Sequence, residues 1–289
     1  MTISKDITGI IVLYDTTIEI IDCLERLKNI KFIIVDNGKC NKKIINKILE
    51  FKNIIKYLKP KKNLGFGRAN NFAFKYVNTK YTLLINADIK TTINDVEKLV
   101  DTLIKYPNTG ISVPLLVDRE NNNIDYLECL PEITSSYNYL IHDKKKLISG
   151  DTSISFCWAA IMLLNNKIFN NIKLFDKKYF LFWEDYDLCR RLYKKKIPII
   201  KTYLSKAYHL KHKSVKDNYR NYFKIQTYHT LSSYIYFSVN KKDKILIKRF
   251  FIYLFRSISY LFILNIKGSL KNIARITAII KYKKSKFQL

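Results

Sequence analysis

"LLINADI", Leu83 to Ile89, decides the fold. Leu83, Leu84 and Ile85 read as a strand buried on both faces, the pattern of a parallel sheet, and the run ends on Asn86, Ala87 and Asp88. A carboxylate there is either a turn residue or a ligand for something positive, because ligands of open α/β sheets sit outside the carboxyl ends of the strands.

Outward from this stretch the chain alternates. "TGIIVLY" (Thr8 to Tyr14), "KFIIVD" (Lys31 to Asp36) and "NIIKYL" read as strands; "TIEIIDCLERLKN" and the segments near 42–52, 68–77 and 93–106 read as amphipathic helices. This predicts a doubly wound α/β half, with a mostly parallel central sheet covered by helices on both faces. After Gly110, "GISVPLLV" and "ISFCWAAIMLL" return to the sheet, while "NNNIDYLECLPEI" reads as a hairpin or irregular extension and "SYNYLIHDKKKLISGD" as a polar loop. A helix near 186–196, the strand "IPIIKTY" and the loop "LSKAYHLKHKS" close this part. The expected organisation is a domain over 1–217, with halves meeting near 109–110, and a separate C-terminal segment over 218–289.

The 289 residues, 48% of them hydrophobic, suffice for a real core. A net charge of +28 points to an anionic partner: nucleic acid, anionic lipid or a phosphorylated substrate. Lys, Asn and Ile are abundant throughout, so part of that charge belongs to ordinary solvated faces. No zinc-finger spacing, RNP-like motif or basic recognition helix occurs in the α/β part, which argues against nucleic acid. Cys23, Cys40, Cys129, Cys157 and Cys189 show no CxxC pairing and read as free thiols of a reducing compartment. The N-terminal apolar run is too short for a signal peptide, so the expected location is cytoplasmic.

The last 70 residues read as aromatic-rich helices. Arg249, Tyr253, Arg256, Tyr260 and Lys267 recur at helical spacing, which predicts a mostly apolar helix with a basic stripe lying on an anionic membrane surface. The competing reading is a helical cap packed on the main domain.

Several polar clusters fall where strands end: Tyr14 with Asp15, Asp36, and Asn86 with Asp88. Singly each is an ordinary turn; together they line one crevice. In "KKNLGFGRANN", Gly65 and Gly67 allow close backbone approach, Arg68 brings charge, and a helix N-terminus favours an anion, here a diphosphate. In "FLFWEDYDLCRRL", Glu184 and Asp185 are capping residues or a desolvated pair tuned for base catalysis, and Asp187 and Arg191 form an i,i+4 pair. His209 and His212 in "YHLKH" are surface residues or metal ligands.

With these motifs in order, "IIVLY", "VDNG", "NLGFGRANN", "INADI", "FWEDYDLCRR" and "YHLKHKS", the chain from about Ile7 to Ser214 resembles the inverting family 2 glycosyltransferases of GT-A fold, especially the bacterial rhamnosyltransferase-like branch. The resemblance implies an inverting, metal-dependent hexosyltransferase that uses a UDP- or dTDP-sugar. Asp36 would then read the base beside Tyr14, Asn63, Gly65 and Arg68 would follow the nucleotide and sugar, and Asn71 would fix that loop. Asn86 and Asp88 stand where the family has its Asp-x-Asp motif, with the first acid replaced. Asp88 and His209 would hold Mg²⁺ or Mn²⁺, Asp185 would act as base, and Glu184 would support it or touch the acceptor. The implied acceptor is a lipid-linked glycan of surface-polysaccharide assembly, at the cytoplasmic face of the membrane. The rival readings are a basic nucleic-acid-binding protein, and a nucleotidyltransferase or non-catalytic sugar-nucleotide binder of the same fold. Nothing in the sequence signals an oligomeric state.

Overall fold

In a computed structural model, residues 3–14, 18–38, 40–117, 129–131, 149–209, 218–239 and 244–285 are described. Asp15, His212, most of the 121–133 extension and most of the polar loop after it lie outside them.

A nine-stranded sheet forms the centre of the first of two compact units, which comprises 1–176 and 185–214. Its strands are β1 (Ile7–Leu13), β2 (Lys31–Asp36), β3 (Ile54–Leu58), β4 (Tyr81–Ile85), β5 (Ile89–Lys90), β6 (Ile111–Val117), β7 (Thr152–Ile154), β8 (Ile161–Asn165) and β9 (Ile199–His209). The spatial order is β3-β2-β1-β4-β8-β6-β9-β5, with β7 paired to β9. Strands β3, β2, β1 and β4 are mutually parallel, as the apolar runs predict. β8 then enters antiparallel between β4 and β6.

Four helices fill the crossovers: α1 (Glu19–Arg26), α2 (Lys42–Leu49), α3 (Phe66–Phe74) and α4 (Ile93–Lys105). The short α5 (Asn166–Phe169) follows β8, and α6 (Glu184–Lys194) precedes β9. Alternating strand residues divide the core in two. Ile11 and Ile34 pack on one face with Leu24 of α1 and Leu99 of α4. Ile10, Ile33 and Val35 pack on the other with Ala73 of α3 and Leu188 of α6.

β9 is longer than the sequence suggests. It runs to His209, through the segment read as a loop, because it changes register against β6 between Pro114 and Leu115 and continues beside β5. His209 is therefore a strand residue, opposite Ile89.

The second unit comprises 177–184 and 215–289. Its helices are α7 (Tyr219–Tyr236), α8 (Lys244–Phe262) and α9 (Ile266–Lys284), and α9 packs on both others. Ser257 and Ser269 share a hydrogen bond of 2.8 Å where α8 and α9 meet, and Asn265 caps α9 through the Gly268 N–H. The segment 177–184 packs on α7: Phe180 on Tyr228, Trp183 on Tyr236, and Ser232 donates to the Leu181 carbonyl.

The expected basic stripe turns out differently. Arg249 lies over the Tyr234 ring of α7, and Tyr253 lies under Arg275 of α9, so these two stripe residues face the bundle. Lys267 is on the next helix, because α8 ends at Phe262. Arg256 of the stripe is exposed, and beside it α8 turns an apolar face to water, with Phe251, Phe255, Ile258 and Phe262 exposed.

Candidate active site

The carboxyl ends of β1, β2 and β4, the amino end of α6 and the end of β9 supply the chemistry-bearing residues. Asp36 ends β2, almost fully buried. One of its oxygens, Oδ2, accepts the Tyr57 hydroxyl at 2.8 Å and sits 2.8 Å from the Lys59 ammonium. Burial pushes this carboxyl up, and hydrogen bonds from Lys59, Tyr57 and Cys40 outweigh it, so the group stays below the ordinary carboxylate value. Tyr57 is pushed up in turn by its own burial and by Asp36. Asp36 is thus held ionised, with Oδ1 met by the Gly38 N–H at a long 3.4 Å.

Tyr57 and Lys59 were not singled out from the sequence. Their spacing of two at the end of β3 puts both on one strand face, and this was the available signal.

The next residue builds the neighbouring loop. Asn37 Oδ1 accepts the Leu64 N–H at 2.7 Å, and its Nδ2 donates to Asn63 Oδ1 and to the Gly65 carbonyl. Asn63 Oδ1 also takes the Gly65 N–H at 2.8 Å. Gly65 sits at φ +79°, ψ 172°, a conformation open essentially to glycine alone, and starts α3. The structure therefore joins Asp36, Asn63 and Gly65 through Asn37, and Arg68 lies in the first turn of α3. Asn71 grips a different segment from the one expected: its amide makes both backbone hydrogen bonds of Phe175, at 2.7 and 3.0 Å. Tyr14 is exposed at the end of β1, and its carbonyl lies against Gly38 so closely that a Cβ on Gly38 would stand 1.9 Å from it.

Asp88 is buried at the start of β5 and lies 3.4 Å from His209 Nε2, Oδ2 to nitrogen. The β5–β9 register brings them together, since Ile89 is opposite His209. Among the described residues no cluster of three or more His, Cys, Asp or Glu forms a metal cage. One carboxylate and one imidazole fit Mg²⁺ or Mn²⁺ with the remaining positions open to ligand oxygens, and the imidazole favours Mn²⁺ of the two. Asn86 donates its N–H to the Ala160 carbonyl at 2.8 Å and adds no charge.

Ala160 ties these residues to the candidate base. The N–H of Ala159, one residue earlier, hydrogen-bonds the Asp185 carboxylate, together with the N–H groups of Tyr186 and of Asp185 itself. Asp185 is partly solvent-accessible as a residue, yet protein crowds its carboxyl enough that desolvation pushes it up to about 6 despite those donors. The ring of Tyr186 stacks on Phe156 at 3.9 Å between centroids. Glu184 is buried, and Phe182 and Trp183 before it both have φ +67°, a pair of strained residues ahead of α6. Farther along α6, Asp187 pairs with Arg190 and Arg191, and Arg191 also donates to the carbonyls of Lys173 and Leu174. That places the Asp187–Arg191 pair in structural service, stapling 173–174 to α6.

The family model described as Glycosyl transferase family 2 matches residues 10–173. The chain belongs to that family. Its members transfer sugars, and the membership decides for an enzyme over a basic nucleic-acid binder. Rhamnosyltransferase WbbL of Escherichia coli (strain K12) is 28% identical to this family 2 chain over 190 residues, 60% of the chain and 69% of WbbL. Two solved structures share the GT-A fold. A mannosyltransferase from Pyrobaculum calidifontis, PcManGT, in complex with GDP-Man and Mn²⁺, aligns with TM-score 0.56 at 10% identity, covering 98% of this chain and 88% of that one. GalNAc-T7 with UDP, GalNAc and Mn²⁺ aligns with TM-score 0.55 at 11% identity, covering 73% of this chain but only 44% of GalNAc-T7.

Proposed function

We propose that this family 2 glycosyltransferase moves a hexose, rhamnose or another, from a UDP- or dTDP-sugar to a hydroxyl of a lipid-linked glycan in surface-polysaccharide assembly, with inversion. The observation that carries the reading is the joining of Asp88–His209 to Asp185 through the Asn86–Ala160 and Ala159–Asp185 hydrogen bonds. The Asp88 carboxylate, which would hold the ion beside the diphosphate, and the Asp185 carboxylate at the start of α6, which would take the proton, are thereby tied to adjacent residues ahead of β8.

In this reading Asp36 accepts the imide N–H of uracil or thymine, beside Tyr14, and Asn63, Gly65 and Arg68 follow the nucleotide and sugar. Asn86 lies alongside. A divalent ion, Mg²⁺ or Mn²⁺, held by Asp88 and His209, would supply charge stabilisation of the diphosphate. Asp185 takes the proton of the acceptor hydroxyl as that oxygen attacks the anomeric carbon. The bond to the diphosphate oxygen breaks with its electron pair, Arg68 stabilises the departing anion, and Glu184 supports the base or contacts the acceptor. Residues 1–109 serve the donor, 110–217 the acceptor, and 218–289 meet the cytoplasmic face of the membrane.

A screen of UDP- and dTDP-sugars, scored by nucleotide release with and without Mn²⁺, tests the reading. One donor should give release that Mn²⁺ raises, and Asp88→Ala should lose it almost entirely. Release from no donor, or near-normal turnover by Asp88→Ala, would overturn it.

A further inference from the structure

α8 presents a continuous water-facing strip that the bundle does not use. Phe251, Leu254, Phe255, Ile258, Leu261 and Phe262 are all exposed on it, Phe255 at 73% and Phe262 at 84%. The strip runs on into the corner between α8 and α9, where Leu264 is 87% exposed and has φ +54°. A corner of this kind ordinarily falls to glycine or asparagine; here a strained conformation holds a leucine at its tip. Isolated exposed apolar residues need no explanation, but a contiguous stripe of this size marks a contact surface.

What covers it follows from charge. From 218 to 289 the chain contains one acid, Asp243, amid many lysines and arginines. Lys244 and Lys248 are exposed at the amino end of α8, Arg256 midway along it and Lys267 beyond its carboxyl end, so cations flank the strip. A second copy of the same face would set these cations against one another, and a nucleic acid has no use for an aliphatic and phenyl strip. A bilayer surface with anionic headgroups satisfies both parts: cations meet phosphates while the apolar strip enters the acyl boundary. No helix among the described residues is long and apolar enough to cross a membrane, so insertion stops at the interface.

We infer that α8 and the Ile263–Leu264 corner form an insertion element for anionic bilayers, with the apolar strip, and not the Arg249–Tyr253 stripe, entering the lipid. It supplies a reason for a lipid-linked acceptor, yet its test reads partition and not transfer, so the inference and the proposed reaction can fail separately.

The full-length protein is floated with vesicles of phosphatidylcholine containing one quarter phosphatidylglycerol, and with phosphatidylcholine alone. Wild type should float with the anionic vesicles. The double variant Phe255→Glu, Phe262→Glu should lose about tenfold or more in partition per residue, with unchanged circular dichroism, since both side chains lie outside the packing. Lys248→Glu should lower the preference for anionic vesicles about fivefold. Ile104→Glu, at an exposed apolar position on α4, should change nothing. Wild type that stays unbound, a double variant that floats like wild type, or a wild-type dimer that the double variant dissociates would each overturn the inference, the last by making the strip a self-contact.

Discussion

The desolvation that pushes Asp185 up to about 6 acts in opposite directions on catalysis and on stability. As a base the residue must be ionised, so kcat/KM should climb roughly tenfold per pH unit below 6 and level off above it. In the unfolded chain the same carboxyl titrates near 3.8. Between those values the folded state holds a proton the unfolded state has released. Stability contributed by this group therefore falls as pH rises through that window, and its burial cost is fully present above 6. Asp185→Asn removes the charge and keeps an acceptor for the Ala159 and Tyr186 N–H groups. We expect this variant to lose about 10² to 10⁴ in transfer, to bind donor normally, and to melt a few degrees above wild type at pH 8 with the difference closing near pH 4. Near-normal turnover would remove Asp185 from the role of base, and a lower melting point at pH 8 would contradict the desolvation argument.

Among the elements, strand ends were legible and their partners were not. Asp36 and Asp88 announce themselves because an acid closes an apolar run, and Asp185 because it follows the aromatic run Phe180 to Trp183, where a capping acid would be partly desolvated. The Tyr57–Lys59 clamp on Asp36 comes from a neighbouring strand, and only the β2–β3 pairing makes it a clamp. His209 looked like a loop residue because the β6–β9 register change leaves no mark in composition. The stripe divides for a similar reason: spacing fixes which residues share a face, while the partners Tyr234 and Arg275 draw Arg249 and Tyr253 inward and leave Arg256 exposed. Gly38 shows what such contacts demand. Its neighbour is the backbone carbonyl of Tyr14, which cannot rotate away, so Gly38→Ala must push the β2 turn off the end of β1. Donor affinity, measured by titration calorimetry with UDP and dTDP, should fall at least tenfold, in keeping with the 1–3 kcal/mol typical of overpacking, while the β-sheet signature of the far-ultraviolet spectrum persists. Unchanged affinity would separate the β2 turn from the donor site.

At the scale of the whole molecule, the division into units cuts the chain immediately before Asp185. Residues 177–184 belong with α7 to α9, holding Phe180 on Tyr228 and Trp183 on Tyr236, and the two left-handed residues Phe182 and Trp183 sit directly ahead of α6. Strained backbone of that kind, at about 1–3 kcal/mol per residue, persists only where surrounding contacts hold it. Deleting 218–289 takes away the rings on which the segment rests. The deletion should therefore cost more than membrane recovery: with α7 gone, Phe182 and Trp183 relax toward ordinary backbone and the start of α6 moves. A misplacement of about 1 Å at a reacting group is enough for a 10²-fold loss, so transfer to a water-soluble acceptor should drop by at least that factor. Phe255→Glu, Phe262→Glu alters the same unit only on its water-facing side and should keep that activity. Comparing the two proteins on one soluble acceptor separates the roles: equal activity in both would show that the helices serve the surface alone, whereas loss confined to the deletion makes the support of residues 177–184 by α7 a requirement for transfer.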